Sequence, residues 1–230
     1  MSKKIEKENA LASDFDVDYV ESANVVNDVS QIIEQSQQKA YWAVDVLLLR
    51  RNWLIGKRLY NEELRKARKD NYGLKIIRQI SKDLTFKYGK GFNAINLYYF
   101  YRFYKEYRDI FYTVSKESFL SWTHYRVLLG VEDINARKWY EKETLENRWS
   151  VRALQRNIET QYYYRLMSSP NKEAVKKEME ERTKDNEILK TLEHIKNPSI
   201  LEFLSLSKND ELYESTIETA IINNLQKIPY

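Results

Sequence analysis

Residues 74–107 read LKIIRQISKDLTFKYGKGFNAINLYYFYRFYKEY, and the fold turns on how this stretch is parsed. Ile77, Ile80 and Leu84 fall at i, i+3 and i+7, one face of a 3.6-residue period. Gly89-Lys90-Gly91 then interrupts the pattern, since glycine tolerates the positive φ of a tight turn. Asn93 follows as an N-cap, with a side chain short enough to accept from the first free N–H groups of a new helix. The spacing predicts a helix, a glycine-marked turn and a second helix, the shape of a helix-turn-helix.

The second helix places Leu97, Phe100 and Tyr104 on one face, flanked by Tyr101 and Tyr107. The opposite face collects Ile95, Tyr98, Tyr99, Arg102 and Lys105, with Glu106 as its one acid. Aromatic and basic groups mixed on one face suit phosphate neutralisation together with stacking or groove contact. The competing reading is plain packing of amphipathic tyrosines on another helix, with Arg102 and Lys105 on an ordinary solvated face.

Outward from this stretch, charge is unevenly distributed. Residues 1–36 carry three Lys and eight Asp or Glu, a balance of −5. Residues 37–110 carry seventeen Lys or Arg against seven acids, or +10, and residues 111–230 eighteen against nineteen, or −1. The positive charge therefore sits on the segment with the helix-turn-helix pattern, as expected of a nucleic-acid binder. Long helices are also rich in Lys and Arg, with acids close by in space, so the excess alone leaves both readings open.

With 230 residues, 43% of them hydrophobic, the chain can bury a sizeable core. No cysteine is present and only two histidines, His124 and His194, which removes disulfides and thiolate metal sites. No apolar run is long enough to span a membrane, and the polar, acidic N-terminus lacks a signal-peptide core, so a cytoplasmic location with no membrane partner is expected.

In chain order, residues 1–22 read as a flexible arm. A long helix is predicted over 24–69, with Trp42, Val46, Trp53, Ile55 and Leu59 in the core, Gly56 permitting close helix packing, and a turn at Asp70–Gly73. A helix of this length makes homo-oligomerisation through 24–69 a live expectation. Residues 108–119 have strand-like composition and would form a short hairpin, making the helix-turn-helix winged. Asp133 and Ser150 are expected to cap two further helices, the second running continuously from Val151 to Leu166. Ser168-Ser169-Pro170 marks a boundary, after which Pro170 would open a charged helix. The expected organisation is thus mainly α: an arm (1–22), a helical domain (23–168), a helical connector (169–196) and a C-terminal segment (197–230).

The search for catalytic chemistry is mostly negative. Gly89-x-Gly91-x-x-Ala94 matches the dinucleotide fingerprint in form only, because a polar helix and not a buried strand precedes it. His124 beside Ser121 and Thr123 reads as a structural imidazole next to Trp122 and Tyr125, in preference to a hydrolase base. A PD-(D/E)XK nuclease needs an acid two residues before a lysine, with carboxylates that hold Mg²⁺. No lysine in this chain has Asp or Glu at that position. No metal site or cofactor is therefore expected in this chain, and Mg²⁺ would enter only with a nuclease core supplied elsewhere.

Several motifs together resemble the N-terminal part of the YhcG-like family of PD-(D/E)XK nucleases. They are Trp53-Leu54-Ile55-Gly56, Tyr72-Gly73, Ile80-Ser81-Lys82-Asp83-Leu84, Gly91-Phe92 with Asn96-Leu97, and Phe103-Tyr104. The series continues through Ser121-Trp122-Thr123-His124-Tyr125, Arg137-x-Trp139-Tyr140, Trp149-Ser150-Val151-Arg152-x-Leu154 and Tyr164-Arg165-Leu166. The resemblance implies a helical, helix-turn-helix-like front domain joined to a nuclease domain. Residues 197–230 resemble the entry to that nuclease domain, with Glu218 matching an early helix acid. The strands carrying its Asp and Glu-x-Lys would lie beyond Tyr230, so this sequence is expected to carry recognition without catalysis.

The leading expectation is a module that binds nucleic acid, double-stranded DNA in particular, and targets or regulates a nuclease partner. Lys82, Lys87 and Lys90 would contact phosphates near the turn. Asn93 and Asn96 would approach base edges, Tyr98 and Tyr99 would stack, and Arg102 and Lys105 would meet the backbone. Ser121, Trp122, His124 and Tyr125 are expected to be structural. The alternatives are a helical assembly protein and a nuclease half completed through Glu218 by another polypeptide.

Overall fold

The computed structural model describes residues 21–65, 72–113 and 119–183. All regular structure among these residues is helical. The first helix, α1, spans Val25–Arg65. At 1.5 Å per residue its 41 residues extend about 60 Å. Its start is fixed by side chains: Asn24 Oδ1 accepts from the Asn27 N–H at 3.2 Å, and the Asp28 carboxylate accepts from the Ser22 N–H and hydroxyl.

Helix α1 enters the core from Ala40 onward. Val44, Leu48, Leu49, Trp53 and Leu59 are buried there, with Asn52 fully enclosed among them. Trp53 and Leu59 lie where the sequence pattern puts them. Ile55 is half-buried and packs against that core, whereas Trp42 and Val46 are half-buried on the flank, because Val44 and Leu48 set the inward register. The first half leaves Val25, Val26, Val29 and Ile33 exposed.

Helix α2 covers Tyr72–Tyr88, a 3₁₀ turn Lys90–Phe92, and α3 Ala94–Glu106. Tyr72 and Gly73, expected in a turn, already belong to α2. Helix α3 is the centre of the molecule and packs along α1. Leu97, Phe100 and Phe103 are its buried residues. Gly56 of α1 sits directly on this helix: a Cβ there would lie 2.0 Å from the Phe100 carbonyl oxygen. The Trp53 indole N–H donates to the Tyr107 carbonyl at 3.0 Å, and its ring meets Tyr104 edge-on at 5.0 Å.

Where a strand hairpin was expected, the chain forms a short helix, α4, over Ile110–Thr113. Burial of Ile110 and contact of the Phe111 ring with Trp53 at 5.5 Å hold it against α1, so tertiary packing overrides the β-like composition. The remainder of that hairpin, 114–118, lies outside the described residues.

Next come α5 (Trp122–Leu128), α6 (Ile134–Glu146), α7 (Val151–Glu159) and α8 (Tyr162–Ser168). Asp133 caps α6 through the Asn135 and Ala136 N–H groups, and Ser150 caps α7 through that of Ala153. The expected single helix 151–166 is broken. Gln161 adopts a left-handed conformation, φ 54°, between α7 and α8. The break frees the Tyr163 N–H to donate to the Tyr140 hydroxyl at 3.0 Å, while that hydroxyl donates to the Asn157 carbonyl at 3.1 Å. It also brings Tyr162 against Trp139, ring centres 5.2 Å apart.

The charged helix α9 spans Lys172–Thr183. Asn171, not Pro170, opens it, with Oδ1 accepting from the Ala174 N–H at 3.1 Å. Arg165 of α8 is ion-paired with Glu178 of α9. The expectations for 1–20, for Asp70 and Asn71, and for 184–230, with His194 and Glu218, fall outside the described residues. No described helix is long and apolar enough to cross a membrane.

Candidate nucleic-acid interface

The turn between α2 and α3 is built by its own residues. Gly89 has φ 97°, a value side chains resist, and its N–H donates to the Thr85 carbonyl at 3.0 Å. Asn93 then serves both sides of the turn. Its Oδ1 accepts from the Asn96 N–H at 2.9 Å, and its Nδ2 donates to the Lys90 carbonyl at 3.0 Å. Asn96 adds an Nδ2 donation to the Gly91 carbonyl at 3.0 Å. The two asparagines read as candidate base contacts therefore spend these donors and acceptors on the start of α3. The Phe92 ring docks the turn on α1, with the Arg51 guanidinium 5.2 Å from its centre.

Lys82, Lys87 and Lys90 are all exposed around this turn. Lys87 lies over the Tyr88 ring at 5.1 Å. Beside them Phe86 is 95% exposed and Tyr88 53%. The sequence reading passed over both aromatics. For Phe86 the sign was available, since it lies opposite the Ile77–Ile80–Leu84 face; Tyr88, four residues past Leu84, continues that face and gave no such sign.

On α3 the outer face divides. Ile95 and Tyr98 are exposed, Lys105 is exposed and Arg102 half-buried. Tyr98 stacks on Tyr101, planes 18° apart at 6.3 Å. Tyr99 turns instead toward α5, where the Arg126 guanidinium lies 5.1 Å above its ring. Arg102 and Lys105 form no ion pair among the described residues. The single acid of this helix, Glu106, is drawn away to Arg137 of α6 at 2.7 Å, and Arg137 is buried. The outer face of α3 thus keeps its cations and loses its counter-charge.

The Ser121–Tyr125 motif faces inward. His124 Nδ1 lies 2.8 Å from Ser121 Oγ, and Nε2 3.0 Å from the Trp149 carbonyl. A carbonyl only accepts, so Nε2 carries the proton and Nδ1 accepts from the serine hydroxyl. Ser121, Trp122, His124 and Tyr125 are all buried. This geometry joins α5 to the segment before α7 and leaves the serine oxygen without access to a substrate. Among the described residues no group of His, Asp and Glu side chains could hold a metal ion.

Comparison with known proteins adds a family. Residues 28–165 match the model of the DUF1016 N-terminal domain. An Escherichia coli (strain K12) protein named "Putative nuclease YhcG" is 31% identical over 226 residues, covering 86% of this chain and 59% of that relative. The chain therefore spans less than two thirds of the relative's length. No solved structure matches.

Proposed function

The chain belongs to the DUF1016 N-terminal domain family, and on that premise we propose that it is a nucleic-acid-binding module, for double-stranded DNA, that targets or regulates a PD-(D/E)XK-type nuclease. The observation that carries this reading is the pairing of Glu106 with Arg137, beside which Arg102 and Lys105, next to exposed Tyr98, form no ion pair among the described residues. Lys82, Lys87 and Lys90 extend the positive surface around the turn. In this reading the lysines and Arg102 neutralise phosphates, Tyr98 and Phe86 stack or enter a groove, and Asn93 and Asn96 fix the helix that presents them. The nuclease name of the relative supports nucleic acid as the partner class.

Fluorescence anisotropy with a random 30-base-pair duplex at two salt concentrations tests this, with Mg²⁺ present and the DNA inspected afterwards. Micromolar binding that collapses at higher salt is the expected result. No binding at low salt defeats the reading. Cleavage by this chain alone would favour the enzyme alternative.

One observation favours a second reading, assembly through α1. Val25, Val26, Val29 and Ile33 stand exposed on its first half, between 47% and 75% accessible. Sedimentation equilibrium of wild type against Val29→Glu separates the two. A monomeric wild type ends the assembly reading without touching the first.

A further inference from the structure

A cleft of about 610 Å³ opens where the end of α3 meets the face of α6. Its chemistry is two-sided. Exposed Ile134 forms an apolar wall with buried Ile110 behind it, while Lys105, Arg108, Arg137 and Lys138 bring four cations to a space shared with Glu106, Asp109 and Glu141. The acids are not equivalent. Glu106 is committed to Arg137. Glu141 is pushed above its ordinary range by burial, with the Tyr107 and Tyr125 hydroxyls and Arg137 opposing the shift. Asp109 has an interaction of its own.

Lys105 and Lys138 are exposed and make no ion pair among the described residues. Arg108 is braced, its guanidinium 4.6 Å above the Tyr60 ring and donating to the Tyr60 hydroxyl. Lys105 belongs to both surfaces: it ends the basic row of α3 and begins the cleft.

We propose that this cleft receives a sugar–phosphate unit of the nucleic acid bound along α3, with the phosphodiester held by Lys105 and Lys138 and the sugar against Ile134. This rests on the binding function proposed above and extends its footprint from α3 to α6. An amphipathic wall of this kind fits a backbone unit, which carries one charge and an apolar sugar face. A free anion would use the cations and leave Ile134 idle.

The test is duplex binding by the full chain, comparing Lys138→Gln with Lys142→Gln. Lys142 lies on the same helix but outside the cleft, so both variants lose the same charge. Lys138→Gln is expected to weaken binding roughly threefold to tenfold and to reduce the salt dependence by about 0.9 in log–log slope, the loss of one phosphate contact. Lys142→Gln is expected to change neither by half as much. Equal effects from both variants would reduce Lys138 to long-range charge and overturn the inference. An unaffected Lys138→Gln with a weakened Lys87→Gln would overturn it while leaving the α3 reading intact. Failure of the wild type to bind at low salt removes both. A mononucleotide such as AMP that binds wild type without DNA, and not Lys138→Gln, would assign the cleft to a soluble ligand and overturn the backbone assignment.

Discussion

Gly56 and Phe100 are in backbone contact: a Cβ on Gly56 would come within 2.0 Å of the Phe100 carbonyl oxygen, 2.7 Å of its carbon and 2.9 Å of Tyr104 Cβ. Two of these atoms are main chain and cannot swing away. The glycine lets α1 and α3 approach to the distance at which Trp53, Phe100 and Tyr104 interlock.

Gly56→Ala should therefore destabilise the fold although alanine favours helices. The helix-propensity gain of about 1 kcal/mol is outweighed by pushing two helices apart, a net loss of about 2–3 kcal/mol. Urea unfolding measures it. A midpoint equal to wild type would mean that α1 and α3 separate at little cost.

His124→Ala should cost about 2–3 kcal/mol, because it leaves the buried Ser121 hydroxyl and Trp149 carbonyl short of a partner. Ser121→Ala should cost less, about 1 kcal/mol, since Trp149 keeps its donor. The ranking in thermal unfolding is the check. A larger loss for Ser121→Ala would place the weight of the motif elsewhere.

Tyr140→Phe removes one hydroxyl that serves the Asn157 carbonyl and the Tyr163 N–H at once. A loss of about 1–3 kcal/mol is expected. Amide exchange should also rise around Tyr163 more than in α3. Uniform change across the chain would show that the hydroxyl does not hold the α7–α8 break.

Glu141 gives the stability a pH dependence of known sign. Burial raises its folded-state value above the usual 4.5. Between those two values the native state holds a proton that the unfolded chain has released, so stability falls as pH rises through that window. Above it the cost of the buried charge is fully present. Glu141→Gln keeps the size and polarity of the side chain without the charge. It should flatten this segment of the stability–pH curve and be at least as stable as wild type at pH 7. A steeper curve in the variant would reverse the assignment.

Arg102→Gln with Lys105→Gln should reduce the log–log salt dependence of duplex binding by about 1.8, at about 0.9 per lost phosphate contact. Circular dichroism should stay unchanged, since neither residue has an ion pair among the described residues. An unaltered slope would move the contact surface away from α3.

Much of this was legible in the sequence because it rests on short-range rules. The α2–turn–α3 unit followed from the spacing of Ile77, Ile80 and Leu84, from glycine at the turn and from asparagine at the cap. Asp133 and Ser150 announced their helices in the same way, as local hydrogen bonding selects side chains at fixed offsets. The mainly helical class, the concentration of positive charge and the family resemblance needed no coordinates. The rest depended on partners distant along the chain. Residues 110–113 became helical because Ile110 and Phe111 pack on α1, and the continuous helix 151–166 was broken so that Tyr163 could meet Tyr140. The emptying of acid from the outer face of α3 was the same kind of event. Glu106 sits in the sequence one position from Lys105, yet its charge is spent on Arg137, thirty-one residues away, because a buried guanidinium needs an anion and only the folded chain decides which one reaches it.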